Sequence, residues 1–283
     1  MSTLRYTLPL CPIIQPTMTT RKLFEQVIIK KSDSPNKNGY VLNNSDNLIN
    51  GLNVDLFRDD LMQGSGNELI SKFNALYSSS ALAVNNFAIV KKYRKDFSFL
   101  DYSNFDNADF ERQFKTRLSG TPPNLDFALE NKDTVIAFES KYLELLDKKK
   151  VVFKDSYNKS NLSYLNDFWF NLIDSYVDNE LFLDVAQLIK HSIGLINYKR
   201  NLPDKQTKKV LLIYIFWTPI NSDKFSEYIQ HSNELNKFTD NIKKQSDIEF
   251  VSMTYNQFWD LYQNIPIFKV HFDKLRTRYS IEI

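Results

Sequence analysis

Three charged residues lie close together in the sequence in a pattern that could bind a metal ion and act on a phosphate. One residue separates Glu139 from Lys141, and Asp126 precedes them across a short polar segment. If residues 134–142 form a β-strand, Glu139 and Lys141 point to the same face, because strand side chains alternate with a period of two. Burying a carboxylate and an amine on an otherwise apolar strand is costly. We therefore take Asp126, Glu139 and Lys141 as candidate catalytic residues.

The surrounding residues predict the β-hairpin that would bring these three together. Residues 125–129 and 134–142 are short, apolar and partly β-branched, and the polar turn Glu130-Asn131-Lys132-Asp133 separates them. Two carboxylates that converge repel each other unless a cation lies between them, and carboxylate oxygens suit Mg²⁺. Asp126 and Glu139 would then hold the ion, and Lys141 would orient the attacking water. The structural alternative is an exposed hairpin whose Glu139 and Lys141 form a surface pair worth under about 1 kcal/mol.

The rest of the chain predicts an α/β fold, a mixed β-sheet flanked by helices. Residues 210–217 form a continuous apolar run, typical of a strand buried on both faces, and residues 248–254 predict another strand. Apolar periodicity predicts helices at residues 161–177, 181–197, 224–244 and 256–263. A further helix is expected from Ser65 through Phe73 and Leu76, with residues 81–90 continuing or following it.

The N-terminal part of the chain is the least informative. Residues 23–29 indicate a strand, residues 32–53 are mostly loop, and residues 101–111 are polar and irregular. We interpret residues 1–283 as one domain, in which residues 1–55 are an N-terminal elaboration of uncertain structure.

Composition restricts the possible chemistry. A net charge of +2 does not by itself argue for nucleic acid, so a basic surface must come from clusters such as residues 91–95, 148–150 and 205–209. The single cysteine, Cys11, excludes an intramolecular disulfide and a cysteine-based zinc site. The three histidines are far apart in sequence, which disfavours zinc chemistry.

The hairpin motif resembles the PD-(D/E)XK signature of restriction and repair nucleases. The matching segments are Pro123-Asn124-Leu125-Asp126 and Ile136-Ala137-Phe138-Glu139-Ser140-Lys141, with two residues between Pro123 and Asp126 where the plain form has none. The resemblance implies a restriction-endonuclease-like core and Mg²⁺-dependent hydrolysis of DNA phosphodiester bonds that leaves 5′-phosphate ends. It also implies that Asp126, Glu139 and the backbone carbonyl of Ser140 bind Mg²⁺, and that Mn²⁺ can take its place.

A second resemblance covers the chain from about residue 60 onward. Gly64-Ser65-Gly66-Asn67-Glu68-Leu69 and Ser78-Ser79-Ser80-Ala81-Leu82-Ala83-Val84-Asn85 are similar to segments of a bacterial family of predicted restriction endonucleases.

Two further positions fit the pattern of the superfamily. Glu68 matches a glutamate that many members carry on a helix ahead of the hairpin, and Gln187 matches a glutamine that some carry on the helix after it. Each has a structural alternative. Ser65-x-x-Glu68 is also a capping box, and Gln187 shares with Asp184 and His191 a helix face that could simply be solvated.

The leading hypothesis is a type II-like restriction endonuclease that acts on double-stranded DNA. Cleavage of both strands by a chain with one site implies a homodimer, and protection of the host implies a cognate DNA methyltransferase encoded nearby. Prolines interrupt the N-terminus and no apolar run approaches roughly 20 residues, so we expect a cytoplasmic protein without a membrane span. The alternatives are a repair or anti-phage defence nuclease without strict site specificity, and a catalytically silent DNA-binding module of the same fold.

Overall fold

A five-stranded mixed β-sheet forms the centre of the computed structural model, which describes residues 18–63, 69, 72–203 and 208–283. Its strands are β1 (Asn107–Gln113), β2 (Asn124–Glu130), β3 (Thr134–Lys141), β4 (Lys209–Phe216) and β5 (Glu249–Thr254). Their order is β5-β4-β3-β2-β1. The β1–β2 and β2–β3 pairs are antiparallel, and the β3–β4 and β4–β5 pairs are parallel. The predicted mixed sheet is confirmed.

Eight α-helices are present among the described residues. They are α1 (Thr20–Lys31), α2 (Arg58–Gln63), α3 (Ser79–Lys92), α4 (Asp167–Tyr176), α5 (Val185–Arg200), α6 (Ser226–Ile242), α7 (Tyr255–Asp260) and α8 (Pro266–Tyr279). Short 3₁₀ helices span Asn44–Asn47, Val54–Leu56, Glu144–Leu146 and Ser222–Lys224. Two-residue strands pair Asn36–Lys37 with Tyr40–Val41, Ser98–Phe99 with Tyr102–Ser103, and Lys149–Lys150 with Glu180–Leu181. Within the described ranges, no helix is both long and apolar enough to cross a membrane.

Strand β3 lies at the middle of the sheet, and all eight of its residues are buried. Helices therefore cover both of its faces, as expected for a strand with a parallel neighbour. On one face, Phe87 of α3 stacks on Phe127 of β2 at a centroid distance of 4.8 Å and lies equally close to Phe138 of β3. On the other face, the hydroxyl of Tyr214 of β4 is 2.8 Å from Nε2 of His231 of α6.

Helix α5 lies unusually close to the chain that follows β1. A Cβ atom added to Gly194 would be 2.3 Å from the carbonyl oxygen of Phe114, a distance that a backbone atom cannot accommodate. Three residues later, Nδ2 of Asn197 donates a hydrogen bond to the carbonyl oxygen of Lys115 at 2.7 Å. These two contacts fix where α5 lies along the sheet.

The predicted strand at residues 23–29 is wrong, because this segment is part of α1. The side chain of Thr19 caps the helix by accepting a hydrogen bond from the backbone N–H of Lys22, and two lysines lie in the last turn. Phe24 packs edge-on against Phe225 at 4.8 Å. The apolar residues that indicated a strand are thus one face of a helix that packs on the core.

Residues 101–111, expected to be irregular, end in strand β1. Its Ala108 and Phe110 are buried while charged neighbours separate them, so the apolar alternation is too short to be visible in the sequence. Phe73 and Leu76 lie in turns ahead of α3 rather than in a helix, and the proposed start of that helix at Ser65 lies outside the described residues. Helix α8 was not predicted.

Candidate active site

Strands β2 and β3 form the predicted hairpin, but they separate at the end that carries the acidic residues. The antiparallel ladder runs from Glu130–Val135 to Phe127–Phe138. One residue further on, Oδ2 of Asp126 accepts a hydrogen bond from the backbone N–H of Ser140 at 2.6 Å. The Asp126 carboxylate therefore binds a backbone group of β3 from the side and holds the two strand ends apart.

Glu139 and Lys141 leave the same face of β3, as the strand period predicts. The ammonium of Lys141 donates to Oε1 of Glu139 and to Oε1 of Gln187 at 2.8 Å. Side-chain exposure is 10% for Lys141 and 2% for Glu139. Gln187 reaches this position from the first turn of α5, which begins after the N-cap residue Asp184 and not at residue 181 as expected. The structure thus brings Gln187 beside Lys141, while its catalytic role remains a prediction.

His191 lies one helical turn beyond Gln187 and contacts the other oxygen of Glu139. Its Nε2 is 2.9 Å from Oε2 of Glu139, and its side chain is 1% exposed. His191 therefore interacts directly with the Glu139 carboxylate and contributes to lowering its pKa. The sequence signal for His191 was the helix face that it shares with Asp184 and Gln187 at i, i+3 and i+7.

The charged residues at this end of the hairpin shift one another's pKa values in different directions. Burial, Glu139 and Glu111 raise the pKa of Asp126 well above its usual range. Burial opposes ionisation of Glu139, yet Lys141 and His191 outweigh it and lower the pKa of Glu139 to about 2. Burial also opposes the charged form of Lys141, but Glu139 raises the pKa of its ammonium. At neutral pH Glu139 is an anion and Lys141 a cation, and an added cation would relieve the repulsion between the carboxylates.

Two further glutamates at the site were not predicted. Glu111 of β1 lies opposite Asp126, between the pairs Phe110–Phe127 and Arg112–Leu125. Its φ of +51° is unusual for a residue in a strand, and its Oε2 accepts a hydrogen bond from Nδ2 of Asn124 at 3.1 Å. No sequence signal could identify Glu111, because β1 itself was not predicted.

Glu144, three residues after Lys141, is the second. Its Oε2 accepts the backbone N–H of Tyr142 at 2.8 Å. Although burial opposes ionisation, Lys141 and a hydrogen bond from Ser79 lower the pKa of Glu144. Asp126, Glu139, Lys141 and both of these glutamates line one cavity of about 570 Å³. Other residues that line it include Arg21, Lys72, Thr121, Gln187 and Ser78, the N-cap residue of α3.

The donors at the site fit a hard divalent cation. Among the described residues no group of three or more His, Cys, Asp or Glu side chains could hold a metal ion. Asp126, Glu139 and the Ser140 carbonyl are all oxygen donors, and Mg²⁺ binds proteins through one or two carboxylates while it keeps several waters. Glu68, the remaining predicted site residue, lies outside the described residues.

Comparison with known proteins adds one finding. A family model described as "Restriction Endonuclease associating with ARP" matches residues 20–280, a span that includes every residue of the site. Searches of the curated proteins and of the solved structures found no match.

Proposed function

The chain belongs to the family of restriction endonucleases associating with ARP, and on that basis we propose that it is a Mg²⁺-dependent endonuclease of the PD-(D/E)XK class. It would hydrolyse phosphodiester bonds of double-stranded DNA in the manner of a type II enzyme. The observation that best supports this proposal is the convergence of Asp126, Glu139 and Lys141 in one cavity, at the point where the two hairpin strands separate.

In this proposal the carboxylates and one backbone carbonyl hold the metal ion, and Lys141 orients the water that attacks the phosphate. Mg²⁺ held by Asp126, Glu139 and the Ser140 carbonyl would polarise the scissile phosphate and lower the pKa of a bound water. Because neighbouring carboxylates raise the pKa of Lys141, its side chain is an ammonium that can donate hydrogen bonds. It orients the attacking water and stabilises negative charge that develops on the phosphate. Gln187 holds the ammonium in place through its hydrogen bond of 2.8 Å.

The remaining parts of the proposal follow from the activity. A chain with one site cuts one strand, so cleavage of a duplex would need a homodimer. A host that carries such an enzyme would also need to protect its own sites, for which a cognate DNA methyltransferase encoded nearby is the expected partner. The family favours restriction over a role in repair or unspecific defence. We expect Mn²⁺ to support the reaction and the protein to act in the cytoplasm.

The test is cleavage of a mixed set of plasmids with Mg²⁺, with Mn²⁺ and with EDTA. The wild-type protein should give discrete bands with either metal and none with EDTA. Asp126→Asn and Glu139→Gln should abolish cleavage, since each removes a metal ligand. Glu249→Gln, at an exposed position of β5, is the matched control and should cut normally. Mg²⁺ should also raise the Tm of the wild type more than that of Asp126→Asn.

Two results would overturn the proposal. Cleavage that survives both EDTA and Glu139→Gln would mean that the hairpin is structural. A smear in place of bands would retain the nuclease but exclude site-specific restriction.

A further inference from the structure

A group of cations without carboxylate partners extends from the candidate active site towards the C-terminal end of α5. Its members, which we call the cationic strip, are Arg117, Lys154, Lys190 and Arg200. In the part of the chain that the structure describes, none of the four forms an ion pair with Asp or Glu. Asp184, which acts on Lys190 electrostatically, is itself paired with Lys149 at 2.8 Å. The positive charge of the strip is therefore available to a ligand.

The strip is continuous with the candidate active site. Lys154 and Lys190 line a cavity of about 180 Å³, and Thr121 lines both this cavity and the larger one that contains Asp126 and Lys141. Gly120, at a φ of +110° in the same loop, leaves the space beside the Lys154 ammonium open. Lys190 is also three residues after Gln187 on α5, which places it about 4.5 Å further along the helix axis.

Aromatic rings hold these cations in place without neutralising them. The Lys190 ammonium is 5.2 Å from the ring centre of Phe153 and 5.9 Å from that of Tyr157. Arg117 and Arg200 lie 5.8 and 4.8 Å from the ring of Tyr164, whose hydroxyl donates to the carbonyl oxygen of Thr116 at 2.8 Å. Such contacts orient a cation and leave its full charge.

The like charges of the strip repel one another. Burial lowers the pKa of Lys190, and Lys154 lowers it further. Arg117 and Arg200 share a single ring, so they too are held close together. An anion placed between such charges would relieve the repulsion, which is the expected property of a phosphate-binding surface.

Several lysines of the basic clusters that are visible in the sequence are paired with carboxylates. Lys91 pairs with Asp60, and Lys95 pairs with Asp106. In the second cluster, Lys149 pairs with Asp184 and Lys150 with Asp178. Adjacency in sequence alone therefore does not make a surface basic, because these four lysines are compensated where they lie, although Lys92, Arg94 and Lys148 form no ion pair within the described residues.

We propose that the cationic strip binds the phosphodiester backbone of the DNA strand next to the scissile phosphate. Lys154 and Lys190 would take the first phosphates beyond the catalytic cavity, and Arg117 and Arg200 would take phosphates further along. This inference rests on the proposed function, since it requires a DNA substrate at Asp126, Glu139 and Lys141.

The test measures DNA binding as a function of salt in the Asp126→Asn protein, which cannot cut its ligand. A short fluorescently labelled duplex of any sequence serves, because the electrostatic part of binding does not depend on sequence. Each of Arg117→Ala, Lys154→Ala, Lys190→Ala and Arg200→Ala should reduce the slope of log K against log [salt] by about 0.9. Lys190→Arg should restore the parental slope, which separates the loss of charge from a change in fold.

The matched control is Lys132→Ala. Lys132 is exposed and lies in the turn at the far end of the hairpin, roughly 25 Å from Lys141, so its removal should leave the slope unchanged. If the four variants match this control while the parent binds DNA, the cationic strip is not a backbone contact and the nuclease proposal still stands. If the parent does not bind DNA at low salt, the proposed function fails and the inference falls with it.

Discussion

Two clusters of buried charge lie towards opposite ends of strand β2 and helix α5, and they differ in how many cations accompany the carboxylates. At one end, Glu130 accepts hydrogen bonds from Lys208 and Arg112, and from the Tyr198 hydroxyl at 2.8 and 3.0 Å to its two oxygens. At the other end, Asp126, Glu139, Glu111 and Glu144 line an open cavity together with Lys141, Arg21 and Lys72.

This difference distinguishes buried charge that stabilises the fold from buried charge that we propose binds a ligand. Around Glu130 both carboxylate oxygens have donors, and Lys208 and Arg112 lower its pKa although burial opposes this. At the other cluster, burial, Glu139 and Glu111 raise the pKa of Asp126, whereas Lys141 and His191 lower the pKa of Glu139. Buried charge that stabilises a fold must be fully paired. Charge left incomplete in a cavity is a mark of a functional site.

The largest expected contrast is between the two buried lysines. Lys141 and Lys208 each have a side-chain exposure of 10% and each bond a buried glutamate. Lys141→Ala should lower the cleavage rate by about 10²–10³, as for other donors that stabilise a developing charge, because it removes the ammonium that orients the water and stabilises the phosphate. Lys208→Ala should leave the rate per folded molecule near that of the wild type. Single-turnover cleavage in Mg²⁺, normalised to the folded fraction, measures both. Equal losses would mean that the two clusters do not differ in function.

Stability should show the reverse contrast. Glu130→Gln leaves Arg112 and Lys208 without their anion and should lower the free energy of unfolding by about 3–5 kcal/mol. Asp126→Asn removes a carboxylate that its surroundings disfavour, and its amide oxygen can still accept the Ser140 N–H. It should be neutral or stabilising. Urea unfolding in EDTA gives both values, and a strongly destabilised Asp126→Asn would show that Asp126 belongs to the structural kind.

The same contrast predicts opposite responses to pH. The pKa of Asp126 is raised from 3.8, so its contribution to stability is present below about pH 4 and is lost as pH rises through the higher folded value. The pKa of Glu130 is lowered from 4.5, so its contribution is present above that pH and is lost in more acidic solution. The gain from Asp126→Asn should therefore grow with pH, and the loss from Glu130→Gln should shrink below about pH 4.5. Tm measured from pH 3 to 9 in EDTA tests both trends.

The smallest effect concerns the groups that hold the charges in place. Gln187→Ala removes one hydrogen bond to Lys141, which is worth about 0.5–1.5 kcal/mol, and should slow cleavage by roughly tenfold or less. Tyr198→Phe removes the corresponding bond to Glu130 and should cost a similar free energy of unfolding without changing the rate. A Gln187 variant that cuts normally would remove Gln187 from the site.

The sequence was sufficient for features that depend on local pattern. Alternation of apolar residues located β3, and the spacing of Glu139 and Lys141 placed both on one face. It was insufficient where the role of a residue depends on partners far away in the sequence. Glu130 looked like part of a polar turn, yet it is 7% exposed and is held by residues 18, 68 and 78 positions away. The cationic strip likewise combines separate segments.

Both clusters of buried charge depend on Gly194. It lies on α5 between Gln187 and Tyr198, and the carbonyl of Phe114 occupies the space that any side chain would need. Because a helix moves as a rigid body, a methyl group at this position would displace both Gln187, which bonds Lys141, and Tyr198, which bonds Glu130. We therefore expect any side chain at position 194 to disturb both clusters together.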